Sequence, residues 1–173
     1  HTTSFTYSAD RLIENTILDG GRIEYHYDQI GRNREVITYD NRLTGADAVA
    51  LSREQFEYDA ADRVSSQTTF GRGQVTSVAD VPLSRTEMEY DGRGLLVRQR
   101  IQYVPHPGQI DGLDYVTTWS YDLVGNLLEE VRPEFYPGLR NADQFADFNA
   151  RGQPGVHTTG DGMRETFHYD QAG

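Results

Sequence analysis

A short motif recurs along the chain and constrains its fold more than any other feature. The motif is a tyrosine and an aspartate, with a glycine three residues after the aspartate. Successive copies begin 20 to 32 residues apart. Clear copies occupy residues 27–32, 58–63, 90–95 and 121–126, and weaker or partial copies occupy residues 7–12, 148–153 and 169–173. An internal repeat of this period predicts a chain built from one small structural unit used many times.

A second column of residues lies upstream of the motif. A large apolar residue stands two positions before the tyrosine in most copies, and a polar residue stands between them. The apolar positions are Phe5, Tyr25, Phe56, Met88, Trp119 and Phe167. The polar positions are Thr6, His26, Glu57, Glu89, Ser120 and His168. Alternation of apolar and polar residues predicts a β-strand with one buried face.

The motif itself predicts a turn. An aspartate at the first turn position accepts a hydrogen bond from a backbone N–H two residues on, and the glycine adopts positive φ without a Cβ clash. Asp62 replaces the glycine in one copy, and aspartate tolerates this conformation. This is the chemistry of a type I turn followed by a left-handed residue, a common hairpin connection. Second strands are predicted at residues 34–39, 64–70, 95–103 and 127–131.

The longer repeats carry about ten extra residues in their outer connections. We place these insertions at residues 44–53, 71–83, 105–114 and 133–143. Short helical turns are predicted at residues 46–55 and 141–148.

Composition agrees with an ordered all-β chain and excludes several classes of function. Eleven Tyr and 17 Gly favour strands and turns over helices or disorder. The net charge of −11 argues against a general nucleic-acid binder, which needs a cationic face. The absence of Cys excludes disulfides and thiolate metal sites. No apolar run approaches 18 residues, so no membrane span is predicted.

The repeated motif and its upstream aromatic column resemble the YD repeat of Rhs proteins, which include bacterial polymorphic toxins, insecticidal toxin complexes and teneurins. The resemblance covers nearly all of residues 1–173, and units begin near Tyr7, Tyr27, Tyr58, Tyr90, Tyr121, Phe148 and Tyr169. It implies consecutive antiparallel hairpins that form a curved ribbon, a slice of a hollow β-shell. Residues with a structural role in the repeat would be Tyr27, Asp28, Gly31, Tyr58, Asp59, Asp62, Tyr90, Asp91, Gly94, Tyr121, Asp122, Gly125, Tyr169 and Asp170.

The same resemblance implies a function and a setting. Shells of this family in the toxins enclose a toxic payload, so the expected partners are the remaining repeats of a larger parent protein and the enclosed payload. The parent would be a bacterial secreted or cell-surface protein. The Asp-Pro dipeptide of the family's self-cleaving core is missing, so we expect this chain to lie upstream of that core. Open strand edges predict that an isolated slice either self-associates or has its edges covered by the inserted loops.

Chemical sites are weakly indicated. The five His are scattered, with His26 and His168 at the same repeat position, so no metal site or cofactor is predicted. Asp111 and Asp114 are better explained by a turn than by a calcium loop. Adjacent Glu129 and Glu130 face opposite sides of a strand, so they cannot act together as a pair of catalytic carboxylates. Glu87 and Glu89 share a face, but Glu89 occupies a polar repeat position that Glu57 also holds, so no catalytic residue and no enzyme is predicted.

The alternative function is a carbohydrate-binding or cell-adhesion module. Exposed aromatic rings stack on sugars, but the regular column is better explained by the sheet itself. Candidate glycan contacts therefore lie outside the column, near the insertions: Tyr103, Tyr115, Phe135 and Tyr136.

Overall fold

The computed structural model describes residues 3–8, 11–17, 21–39, 50–71, 82–104, 114–133 and 141–170. Within these ranges the regular structure is all β. The strands are β1 (Thr3–Ser8), β2 (Arg11–Ile17), β3 (Gly21–Tyr27), β4 (Asn33–Tyr39), β5 (Ala50–Tyr58), β6 (Val64–Phe70), β7 (Pro82–Tyr90), β8 (Leu96–Tyr103), β9 (Asp114–Tyr121), β10 (Leu127–Val131), β11 (Ala142–Ala146), β12 (Val156–Thr158) and β13 (Arg164–Thr166).

The strands belong to two compact units. Unit 1 comprises His1–Glu87 and Gln102–Leu113, and unit 2 comprises Met88–Ile101 and Asp114–Gly173. In each unit the order of the strands in the sheet is their order in the chain, and the described pairings are antiparallel. The predicted fold class of consecutive antiparallel hairpins is therefore confirmed.

All four predicted second strands are found within a residue of their expected bounds, as β4, β6, β8 and β10. The predicted helical turns at residues 46–55 and 141–148 are wrong where the structure describes them, because β5 and β11 occupy most of those positions. The predicted insertions are also too long, because strands β5, β7, β9 and β11 begin inside the predicted ranges. Backbone groups there pair with the preceding strand, which outweighs any local helical preference.

Extra residues interrupt the pairing of the strands at regular positions. In four described hairpins the second strand has one residue more than its partner just after the turn. These extra residues are Ile13, Arg34, Ser65 and Leu128. A second bulge lies at the outer end of two pairings, at Leu51 and Leu83. The bulges at Arg34, Ser65 and Leu128 follow turns with a left-handed residue, which are Gly31, Asp62 and Gly125, and a bulge increases the local twist.

Burial is shallow and does not follow the aromatic column alone. In the four interior copies Tyr25, Phe56, Met88 and Trp119 are half-buried, and the polar residues next to them are exposed, as predicted. Phe5 and Phe167, in the first and last copies, are exposed. Among the described residues, the apolar side chains that are buried are Phe70, Ala142 and Val156.

Phe70 lies on the sheet face opposite to the aromatic column of unit 1. It stands directly across from Arg53, whose guanidinium covers the ring at 3.9 Å from its centroid. Ser66, on the same face, is also buried. The expectation that the column marks the buried face is therefore incomplete, because stems of long charged side chains bury apolar surface on the other side.

Candidate functional site: the turn edge and the two sheet faces

The repeated motif forms one turn geometry. In the copy at Asp28 the Asp28 N–H donates to the Arg32 carbonyl at 2.9 Å, and the Gly31 N–H donates to the Asp28 carbonyl at 3.1 Å. Gly31 has φ of 96°. The same pair of backbone hydrogen bonds closes the turns that begin at Asp59, Asp91, Asp122 and Asn149. Asp62 takes positive φ (62°) in place of glycine, as predicted.

The aspartate side chain organises this turn. Oδ1 of Asp28 accepts from the N–H groups of Ile30 (3.0 Å), Gly31 (2.8 Å) and Arg32 (2.9 Å). Its Oδ2 accepts from Nε of Arg32 at 2.7 Å. Asp59 is held in the same way, with Arg63 Nε at 2.7 Å from Oδ2. The two carboxylate oxygens thus have separate roles, one to the backbone and one to a guanidinium.

These contacts shift the ionisation of the turn carboxyls. The side-chain and backbone hydrogen bonds from Arg63 hold the pKa of Asp59 below its ordinary value. For Asp28, desolvation acts to raise the pKa, but the hydrogen bonds and charge of Arg32 outweigh it and the pKa is lowered. At Asp91 the backbone hydrogen bond from Leu95 leads the lowering of the pKa. At Asp122 the hydrogen bonds from Asn126 overcome desolvation and lower the pKa.

The fifth residue of the turn varies without changing the backbone. Asn126 replaces arginine and donates from Nδ2 to Asp122 Oδ2 at 2.7 Å. In the next copy the polarity reverses, because Asn149 Nδ2 donates to Gln153 Oε1 at 2.8 Å. At Asn126 and Gln153 a side-chain amide contact within the turn therefore replaces the arginine contact.

One turn of this type was missed from the sequence. Between β12 and β13 the Thr159 N–H donates to the Met163 carbonyl at 2.9 Å, and the Gly162 N–H donates to the Thr159 carbonyl at 2.9 Å. Gly162 has φ of 87°. Thr159 takes the place of the aspartate, and its hydroxyl bonds to Asp161. The signal available in the sequence was the glycine three residues after a residue with a short polar side chain.

The motif tyrosine connects neighbouring hairpins. In unit 1 the Tyr58 hydroxyl donates to the Asn33 carbonyl at 2.7 Å, just after the preceding turn. Arg32 lies over the Tyr58 ring at 4.4 Å and its Nη1 contacts Asp62 Oδ1 at 2.6 Å. Tyr58 and Arg32 therefore fasten one turn to the next.

The same connection occurs in unit 2. The Tyr121 hydroxyl donates to the Leu96 carbonyl at 3.0 Å, and the Tyr169 hydroxyl donates to the Pro154 carbonyl at 2.9 Å. Arg93 donates to the Asp122 carbonyl of the following turn. We call these hydroxyl-to-carbonyl contacts, at Tyr58, Tyr121 and Tyr169, the tyrosine latches.

The register of β3 to β7 in unit 1 assigns each residue to one of two faces, because directly opposed residues share a face. The first, the ion-pair face, consists of Arg22, Glu24, His26, Glu35, Ile37, Tyr39, Arg53, Gln55, Glu57, Ser66, Thr68, Phe70, Arg85 and Glu87. The second, the low-charge face, consists of Ile23, Tyr25, Val36, Thr38, Ser52, Glu54, Phe56, Gln67, Thr69, Ser84 and Thr86.

The described ion pairs of these strands all lie on the ion-pair face. They join Arg22 to Glu24 (3.1 Å), Arg53 to Glu35 (3.5 Å), Arg85 to Glu57 (3.2 Å), Arg85 to Glu87 (3.3 Å) and His26 to Glu24 (3.7 Å). Arg22 also covers the Tyr39 ring at 4.3 Å, and the Tyr39 hydroxyl donates to Glu24 at 3.0 Å. Desolvation, followed by Glu24, raises the pKa of Tyr39.

Unit 2 carries a charged cluster of its own around His157. The His157 ring stacks on Phe145 at 4.8 Å, and Nδ1 lies 3.3 Å from Glu165. Its Nε2 lies 3.7 Å from Asp143, which also pairs with Arg132. Across strands β11 to β13, histidine thus lies between two carboxylates.

The remaining predicted site residues are dispersed among the elements. Tyr103 ends β8 and is 48% exposed, and Tyr115 is half-buried in β9. Phe135 and Tyr136 lie outside the described residues, as does Asp111. The proposal of glycan contact at these four aromatics stays a prediction.

The acidic candidates take part in ion pairs or accept hydrogen bonds. Glu87 pairs with Arg85 and Glu89 pairs with Arg98. Glu129 accepts from Gln144 at 2.9 Å. Among the described residues, no group of three or more His, Asp or Glu could hold a metal ion. In the same ranges, no helix has the length and apolar character needed to cross a membrane.

The fold and the repeated turn define a class of protein, which is built from repeated antiparallel hairpins with aspartate-organised turns and tyrosine latches. Double-stranded DNA deaminase toxin A from Burkholderia cenocepacia (strain H111) is 27% identical to this chain over 190 residues. The alignment covers 95% of this chain, which spans 12% of the length of that toxin. No family model matches the chain.

The crystal structure of TcdB2-TccC3-TEV is a neighbour with a TM-score of 0.47 and 16% sequence identity. The match covers 94% of this chain and 9% of that one. The chain is thus similar, over nearly its whole length, to part of a protein named as a toxin.

Proposed function

We propose that this chain is a wall segment of an Rhs-type YD-repeat shell that encloses a toxin or effector payload. The parent would be a large secreted or surface protein of a bacterium, and the chain itself would carry no enzymatic activity. The observation that carries this proposal is the tyrosine latch, which at Tyr58, Tyr121 and Tyr169 fastens a hairpin to a carbonyl of the hairpin before it. A unit fastened only to its neighbours can be repeated indefinitely, as a wall requires.

Two further features support a wall. The buried apolar side chains among the described residues are few, so the sheet is held by cross-strand pairs, latches and turns. The similarity to part of a much longer protein named as a toxin agrees with a segment of a larger assembly.

The experiment uses the full parent protein with its payload. Limited proteolysis should leave the payload intact in the wild type and degrade it in Tyr58→Leu, which removes the hydroxyl and the ring under Arg32. Tyr103→Leu, at an exposed tyrosine outside the latches, is the matched control and should protect as the wild type does. A payload digested equally fast in all three proteins would contradict enclosure.

A carbohydrate-binding role is the second candidate, and the exposed ring of Tyr103 favours it. Binding to a glycan array that is lost in Tyr103→Ala and Tyr115→Ala would support it. Equal signals across all sugars, unchanged in the two variants, would exclude it.

A further inference from the structure

The two faces of the sheet in unit 1 differ in chemistry although they share the same strands. The described ion pairs of β3 to β7 are gathered on the ion-pair face. Among its directly paired positions the low-charge face carries a single charged residue, Glu54, in a protein whose net charge is −11. Arg34, the bulge residue of β4, has no directly opposed residue and belongs to neither set. Because charge is segregated in this way, the two faces are suited to different surroundings.

The ion-pair face suits contact with water. Glu57 and Arg85 are exposed, and the guanidinium groups of Arg22 and Arg53 cover the rings of Tyr39 and Phe70. Covering this face with another polypeptide would require desolvation of several charges, which is costly unless each finds a new partner.

The low-charge face suits contact with a polypeptide. Apart from Glu54, its side chains are hydroxyls, one amide, aliphatic groups and two rings, so it offers hydrogen-bond donors and acceptors together with apolar area. Thr38, Ser52, Gln67, Thr69 and Thr86 are half-buried positions of this kind. A surface without strong charge imposes no demand for matching charges, so it can accompany an extended segment of varied sequence.

We infer that the low-charge face of β3 to β7 is the face that contacts the payload, as an extended segment of the same parent polypeptide. This inference rests on the proposed function. It commits to the parent's own chain as the occupant, because the face lacks the charges that a folded, strongly charged partner would require. The similar toxin is about eight times as long as the aligned region, so a parent of that kind has ample chain to occupy it.

The chain provides a matched pair of positions for the test. Thr68 and Thr69 are neighbours in β6, are both half-buried and point to opposite faces. The chain has no cysteine, so Thr68→Cys and Thr69→Cys each introduce a thiol unique within it. Each variant is made in the full parent protein, with other cysteines replaced, and is labelled with a bulky maleimide in the native state. Thr86→Cys and Gln55→Cys form a second pair for the case in which one variant fails to fold.

With the payload present, the thiol at position 69 should label roughly tenfold or more slowly than the thiol at position 68, because closed states protect covered groups. Deletion of the payload should remove most of the difference. Slower labelling at position 68 would assign the ion-pair face to the payload and overturn the inference while leaving the shell intact. Equal labelling at both positions, with a payload that resists protease, would also overturn it. Equal labelling with a protease-sensitive payload would instead contradict the shell.

Discussion

The two units of the chain contain the same type of turn but distribute their charged side chains differently. In unit 1 the described ion pairs of β3 to β7 lie on one face. In unit 2 the Asp143–His157–Glu165 cluster lies on the same sheet face as Trp119. Arg100 pairs with Asp114, which lies on the opposite face of β9. The repeat therefore determines the backbone and the latches and leaves the chemistry of the faces free to vary.

The last two strands of unit 2, β12 and β13, are also shorter than the strands of unit 1. Strands β5 and β6 have 9 and 7 residues, whereas β12 and β13 have 3 each. Every residue of β13 is exposed. Longer strands allow unit 1 to stack an arginine over a ring outside the turns, and short strands leave β12 and β13 dependent on their turns.

The largest effect is expected from Phe70→Ala in unit 1. Phe70 is 8% exposed beneath Arg53, so removal of the ring should cost about 3–5 kcal/mol of unfolding free energy. Val156→Ala, at the buried position of unit 2, should cost roughly 1.5 kcal/mol for two methyl groups. Urea denaturation of the chain measures both. Equal losses of unfolding free energy in the two variants would contradict the prediction that the buried ring in unit 1 contributes more than the buried valine in unit 2.

The second largest effect is expected from a substitution in the type of turn that recurs in both units. Gly94 has φ of 90°, so Gly94→Ala should destabilise the chain by about 1–2 kcal/mol. Gly92→Ala is the control in the same turn, since a Cβ there meets nothing within 4 Å. It should be neutral or stabilising by roughly 0.4–1 kcal/mol. If both substitutions behaved alike, the left-handed conformation would not be required.

Acid sensitivity tests the same turns through their carboxyls. The pKa of Asp59 is lower in the folded state, chiefly because of Arg63, so its ionised form stabilises the fold above the unfolded pKa of ~3.9. That contribution is lost as the pH falls through the folded pKa. Asp59→Asn should therefore reduce the loss of urea midpoint between pH 7 and pH 3. Asn149→Asp, in the fifth turn, should increase it, and no change in either variant would contradict the assignment.

The smallest effect is expected from the exposed charges that distinguish the units. Arg85→Gln removes contacts to Glu57 and Glu87, whose side chains are 66% and 36% exposed. The loss should be about 0.2–1 kcal/mol and should shrink in high salt. A larger loss that persists in salt would mean that the ion-pair face contributes to stability as a network.

The sequence predicted the turns and most strand bounds because both depend on local chemistry. The Asp28–Gly31 spacing predicts a hydrogen bond from the backbone to the aspartate side chain and a positive φ at Gly31, and Asp62 adopts the same positive φ. The helical turns at residues 46–55 and 141–148 were wrong because pairing with a neighbouring strand outweighs local preference there. The tyrosine latches and the cover of Arg53 over Phe70 were missed, because they join positions 15 to 25 residues apart through register.

Strand order that equals chain order has a consequence for how such a chain is made. Within each unit a strand finds its partner in the next segment of the chain, so every hairpin needs only a short loop to close. Formation of structure can then follow synthesis from the amino terminus, with each finished hairpin offering its edge to the one that emerges next. Assembly of this kind is directional, because the hairpins form in the order in which they are translated.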